Sequence, residues 1–234
     1  MVGQFSKFAR LFCCMLVCSL FAATVVRADD DGAILNPTTG STKYTSNNTT
    51  PDSTVARLNG TGRQASDKFN LDSGLVLFKV TNEGDSNFVV RLLDRNGKQI
   101  ETLFNEIGPF NGERAFFIPN AGTCLLDVQS NGKWTAEARQ PKATQGKSTP
   151  ASLAGHGVQT TPSLQLDKGL AVFKLNHNGE SRFKVALLDQ DGRTVGYLVN
   201  TLGPFSGSKP LSIDKPGVYF LNVSADGDWN ISVE

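Results

Sequence analysis

The sequence predicts an all-β fold: two tandem antiparallel β-sandwiches, Ig-like or jelly-roll-like, of about 80 residues each. Three observations predict it. The chain repeats itself without gaps at an offset of 95 residues, its apolar residues recur with a period of two, and turn signals fall every 8 to 12 residues.

The repeat sets the frame. Residues 58–139 align with 153–234, and about 30 of the 82 pairs are identical, among them Phe78-Lys79 with Phe173-Lys174, Gly108-Pro109-Phe110 with Gly203-Pro204-Phe205, and Trp134 with Trp229. Two copies are too few and too long for a solenoid, and each is long enough for a small core, so the reading is two modules at 57–139 and 152–234. Between them, 140–151 carries Pro141, Gly146 and Pro150 among small polar residues and reads as a linker of moderate flexibility. Residues 29–56 hold few large apolar side chains and read as disordered or extended.

Within each copy the strands follow from alternation. Phe88, Val90 and Leu92 persist as Phe183, Val185 and Leu187 while the residues between them change, which assigns those three places to the core. Leu126 and Val128 match Leu221 and Val223, with Asp127 and Asn222 facing out. Trp134, Ala136 and Ala138 match the inward-facing Trp229, Ile231 and Val233. Turns fall at Asp72-Ser73-Gly74, Glu83-Gly84-Asp85, Arg95-Asn96-Gly97, Asn111-Gly112, Asn120-Ala121-Gly122 and Asn131-Gly132. The closing pattern from Gly217 to Val233 resembles the last hairpin of small β-sandwich modules appended to bacterial secreted proteins, such as pre-peptidase C-terminal domains. That resemblance implies an accessory module rather than a catalyst.

Composition bears on location and partner. Lys7 and Arg10 precede an apolar stretch from Leu11 to Val26, and Val26-Arg27-Ala28 ends in a small-residue cleavage pattern, so residues 1–28 read as a signal peptide. About 16 apolar residues fall short of the roughly 20 that a membrane-spanning helix needs. A secreted, periplasmic or extracellular protein without a membrane span is expected. Three of the 23 basic residues, Lys7, Arg10 and Arg27, leave with the signal, so 20 remain against 22 acidic ones and no nucleic-acid partner is suggested. Cys124 is then the lone cysteine, and the core must hold the fold without a disulfide.

An inherited catalytic constellation should appear at matched positions, and none does. His156 and His177 match Thr61 and Asn82, lack metal-ligand spacing, and read as solvated loop residues. Gly60-Thr61-Gly62 and Gly155-His156-Gly157 read as turn-shaping glycines, since no helix pattern follows them. Asp189-Gln190-Asp191-Gly192 makes Asp189 and Asp191 candidates for Ca²⁺, although the first copy has Arg95 in that turn and six to eight oxygens are required. Asn105 and Asn200, three residues ahead of Gly-Pro-Phe, are candidate sugar hydrogen-bonders, with Phe110 and Phe205 as apolar platforms. A turn-capping Asn and a Phe plugging the sandwich would account for the same residues.

The expected function is that of a secreted, non-catalytic binding or adhesion protein whose partner is a polysaccharide or cell-envelope component. The alternative is a structural envelope or matrix protein that self-associates through its sheet edges. An enzyme comes third.

Overall fold

The computed structural model describes residues Ser53–Glu234, so the expected signal peptide at 1–28 and nearly all of the disordered segment at 29–56 lie outside the described residues. The last three residues of that segment, Thr54–Ala56, belong to the first strand.

The first repeat contains β1 (Thr54–Thr61), β2 (Gln64–Ala65), β3 (Phe69–Leu71), β4 (Gly74–Asn82), β5 (Asn87–Asp94), β6 (Gln99–Ile107), β7 (Phe110–Ile118), β8 (Gly122–Gln129) and β9 (Lys133–Arg139). They form two sheets, ordered β1-β9-β4-β7 and β2-β8-β5-β6, with β3 also on β8. The second repeat follows with β10 (Lys147–Ser148), β11 (Ala151–His156), β12 (Gln159–Thr160), β13 (Leu164–Leu166), β14 (Gly169–His177), β15 (Arg182–Asp189), β16 (Thr194–Leu202), β17 (Phe205–Ile213), β18 (Gly217–Ser224) and β19 (Asp228–Val233). Its sheets are β11-β19-β14-β17 and β10-β13-β18-β15-β16, with β12 on β18. The register irregularities of β5 against β6 recur at the matching places of β15 against β16, so even the bends are duplicated.

The cores lie where period two puts them. Phe88, Val90 and Leu92, like Phe183, Val185 and Leu187, are at most 1% exposed. Each such side chain taken from water contributes about 1.5–3 kcal/mol. Gly60 and Gly155 are not turn residues. They lie within β1 and β11 opposite Trp134 and Trp229, where a Cβ would stand 2.4 and 2.3 Å from the indole ring. The glycines leave room for the rings, whose Nε1 groups donate to the Gly62 and Gly157 carbonyls.

His177 is the clearest departure. Its side chain is fully buried, stacks on Phe183 with centroids 4.5 Å apart, and places Nδ1 3.2 Å from the Gly203 carbonyl. The first repeat puts Asn82 in the same node, donating to Gly84 and Gly108 and accepting from Ser130 Oγ. His156 is solvent-exposed and lies 2.9 Å from Asp228 Oδ1.

The two repeats meet through an apolar cluster separate from both sandwich cores. Leu75, Leu77 and Ala115 on the outward face of the β4–β7 sheet pack against Ala186, Leu188, Val218 and Phe220 on the outward face of the β15–β18 sheet. The free edge of β7 is also held: Glu113 N–H donates to Val158 O at 3.0 Å, and Arg114 to Ser224 Oγ at 2.9 Å. The segment 140–151 makes contacts of its own. Gln140 N–H donates to Ser53 O, Ala143 packs on the junction cluster, and β10 pairs with β13.

Candidate functional site

The outward face of the second repeat's six-stranded sheet has two ends with different chemistry. Because Phe183, Val185 and Leu187 point into the core, Arg182, Lys184, Ala186 and Leu188 share the opposite face of β15. Ser224 pairs with Lys184, Asn222 with Ala186, and Phe220 with Leu188, so the face runs from polar to apolar along the strands. Its apolar end docks on the first repeat. Its polar end remains open and forms one wall of a cleft.

The first repeat supplies the other wall with Glu101, Thr102, Arg114, Phe116 and Phe117. The cleft encloses about 620 Å³ and adjoins a second hollow of about 450 Å³ that shares Thr102, Arg114, Arg182 and Ser224 with it. Tyr197, opposite Ala186 on β16, offers an aromatic ring that is 55% exposed, and Lys184 Nζ lies 4.6 Å from its centroid. Arg193 stands 4.1 Å over the Phe117 ring and 3.9 Å from Asp191.

Arg114 and Glu106 set the electrostatics where the hollows join. They are 3.8 Å apart, and both are largely shielded from solvent. Burial lowers the Arg114 pKa from the ordinary arginine value, with Glu106 opposing the shift and Arg182 adding to it. Burial likewise raises Glu106, against the pull of Arg114 and Arg182. Among the described residues, Arg182 and Lys184 take part in no ion pair with an acidic group.

The residues singled out from sequence are scattered relative to this cleft. Asn105 is exposed and lines the smaller hollow. Asn200 is exposed on β16 opposite Lys184. Phe110 packs against Phe88 and Phe104, and Phe205 against Phe183, as partly buried plugs of their sandwiches. Phe205 also borders a shallow recess with His177 and Pro204. Asp189 Oδ1 accepts the N–H groups of Asp191 and Arg193 at 3.0 and 2.8 Å, as Asp94 Oδ1 does for Asn96 and Lys98. Both carboxylates thus organise their own turns. No group of three or more His, Cys, Asp or Glu side chains that could hold a metal occurs among the described residues. Cys124 is buried and unpaired, and burial, then Asp94, raises its pKa.

Matching copies against each other hid Arg182, Lys184 and Tyr197, because the first repeat has Asn87, Val89 and Thr102 there, while Arg193 keeps its charge as Lys98. Their signal is the mismatch itself. Side chains that the fold does not require occur in only one copy, on the face turned toward the other.

No protein-family model matches the chain, that of the pre-peptidase C-terminal domains included, and no curated protein matches it in sequence. Among solved structures, the chain is similar to the M60 catalytic domain with the CBM51-1 and CBM51-2 domains of ZmpB from Clostridium perfringens, at 8% identity and a TM-score of 0.28. That match covers 76% of this chain and 36% of the other, so the chain spans little more than a third of it. It is also similar to the N-terminal CBM22-1-CBM22-2 tandem domain of Xyn10C from Paenibacillus barcinonensis, at 9% identity and 0.25, covering 76% and 86%. A serum fucolectin from Morone saxatilis, the striped bass, aligns at 10% identity and 0.24, covering 76% and 84%.

Proposed function

We propose that the protein is an exported, non-catalytic binding protein that holds a polysaccharide or cell-surface component in the cleft between its two repeats. One observation carries this reading: both repeats build the cleft, and it presents the exposed Tyr197 ring beside the hydroxyls of Thr102 and Ser224 and the guanidinium of Arg114. A sugar ring offers an apolar face to stack on an aromatic side chain and hydroxyls to bond with polar neighbours.

Glu101 and Glu106, which border the two hollows with Asp226, lie five residues apart on β6, roughly 16 Å along an extended strand, against the roughly 5–9.5 Å that separates a hydrolytic carboxyl pair. Assembly through sheet edges finds no comparable support. The β17 edge that corresponds to β7 carries Lys209 and Pro210, a charge and a missing N–H that blunt strand pairing.

Surface binding to an immobilised polysaccharide panel, with analysis of the eluate, tests the proposal. The chain is expected to be retained by at least one polymer that is recovered intact, and Tyr197→Ala to weaken retention about tenfold, near the upper end of an aromatic contact's worth. Unchanged retention by Tyr197→Ala, or cleavage of the polymer, overturns it.

A further inference from the structure

We infer that the cleft recognises the acidic groups of a polysaccharide, uronate carboxylates or sulfate esters, through Arg182 and Lys184. The inference rests on the binding reading above and adds the class of ligand. Its first support is local charge: Arg182, Lys184, Arg114 and Arg193 converge on one cleft, although residues 29–234 carry 20 basic against 22 acidic side chains. Glu101 is the acidic residue bordering the larger hollow, and its Oε1 accepts the Thr102 N–H at 3.0 Å; in the adjoining hollow Glu106 faces Arg114 and Asp226 accepts the N–H groups of Glu180 and Ser181.

The second support comes from the duplication. A cation needed to fold the sandwich would occupy both copies, yet Arg182 and Lys184 correspond to Asn87 and Val89. The charged pair stands only on the copy whose β15 borders the cleft; its counterpart β5 lines neither hollow. Two places apart on one strand face, the pair is separated by roughly 6.6 Å, which lets it meet two oxygens of neighbouring acidic groups.

The third support is what these cations lack. Arg114 already bonds Ser224 Oγ and faces Glu106, and Arg193 faces Asp191, whereas Arg182 and Lys184 form no ion pair within 4 Å among the described residues, Arg182 acting on Glu106 only at longer range. An anionic ligand would supply the missing partner. A guanidinium pairs with a carboxylate or sulfate through two parallel hydrogen bonds, and the ammonium adds a point charge.

The test measures equilibrium binding of the full chain to two matched pairs: polygalacturonate against its fully methyl-esterified form, and dextran sulfate against dextran. At least one acidic member should bind ten times more tightly or better than its uncharged twin, and the arm that binds identifies the acidic group. That preference should weaken as salt rises from 50 to 200 mM. Arg182→Gln with Lys184→Gln should remove most of it while the thermal melt is unchanged. Equal binding of charged and uncharged twins overturns the acidic assignment and leaves polysaccharide binding standing; binding of neither pair, nor of the polysaccharide panel, overturns both. Tighter binding to a single-stranded oligonucleotide than to either acidic polysaccharide, or a double variant that keeps the wild-type preference, also overturns the inference.

Discussion

Asn222 joins the two repeats through the backbone of Ala115: its Oδ1 accepts the Ala115 N–H at 3.0 Å and its Nδ2 donates to the Ala115 carbonyl at 2.8 Å. Thr160 Oγ1 donates to the same Oδ1 at 2.8 Å and fixes the amide's orientation. The first repeat carries Asp127 at the corresponding place, where it pairs with Arg91 at 3.1 Å. One site in the fold therefore serves as a junction in one copy and as an outward ion pair in the other.

Asn222→Ala is expected to cost about 1–3 kcal/mol, because it strands an N–H and a carbonyl between packed faces. Asp127→Ala should cost at most about 1 kcal/mol, the worth of a partly exposed ion pair. Urea denaturation compares the two, and equal costs would show the junction bond to be dispensable.

Gly97 and Gly192 isolate the junction in another way. Both have left-handed backbones, with φ of 82° and 88°, so alanine strains each by about 1 kcal/mol. A Cβ at Gly97 meets nothing within 4 Å, whereas at Gly192 it falls 2.8 Å from the Phe116 carbonyl oxygen of the other repeat. Gly192→Ala should exceed Gly97→Ala by about 1–3 kcal/mol of overpacking, read from denaturation midpoints.

The apolar junction is expected to couple the repeats in unfolding. In a Trp229→Phe background, fluorescence reports Trp134 of the first repeat alone. Phe183→Ala, which empties a fully buried site in the second repeat and costs about 3–5 kcal/mol, should then lower the midpoint that Trp134 reports. A Trp134 transition that ignores this substitution would mark two independent domains.

Acid should act through Asp226. Its slight burial would raise its pKa, but N–H donors from Ser181 at 2.8 Å and Glu180 at 3.0 Å, with the facing His177, bring it below the ordinary 3.8. A depressed folded pKa means that the contribution is complete above the unfolded value and disappears as pH falls through the folded one. The stability gap between wild type and Asp226→Asn should therefore be widest near pH 6 and narrow by pH 3. A gap constant across that range would assign the effect to packing.

Several features were legible in the sequence because they are local. The faces of β5 and β15 followed from residues two apart, and turns such as those at Gly74 and Gly97 from Asp and Gly at places that need an Asx bond or a positive φ, whereas Asn111-Gly112 lies within β7 and the turn before it is made at Gly108. Gly60 and Gly155 were misread because the ring they accommodate lies 74 residues further along the chain. His177 was misread because a lone histidine is usually solvated, and nothing near it in sequence signals that it takes the buried node held by Asn82 in the other copy.

By itself the sequence determined the duplication, the all-β class and the inward faces of β5, β8 and β9 and of their counterparts β15, β18 and β19, where matched apolar residues recur two apart. Tertiary structure alone decided the fate of the outward faces. Leu75, Leu77, Leu188 and Phe220 have the same alternation whether their side faces water or another sheet, and only the docking of one repeat on the other buries them. The cleft shares that origin, because Arg114 and Lys184 belong to different modules and become neighbours only when contacts along β7 and β18 fix the distance between two sheets.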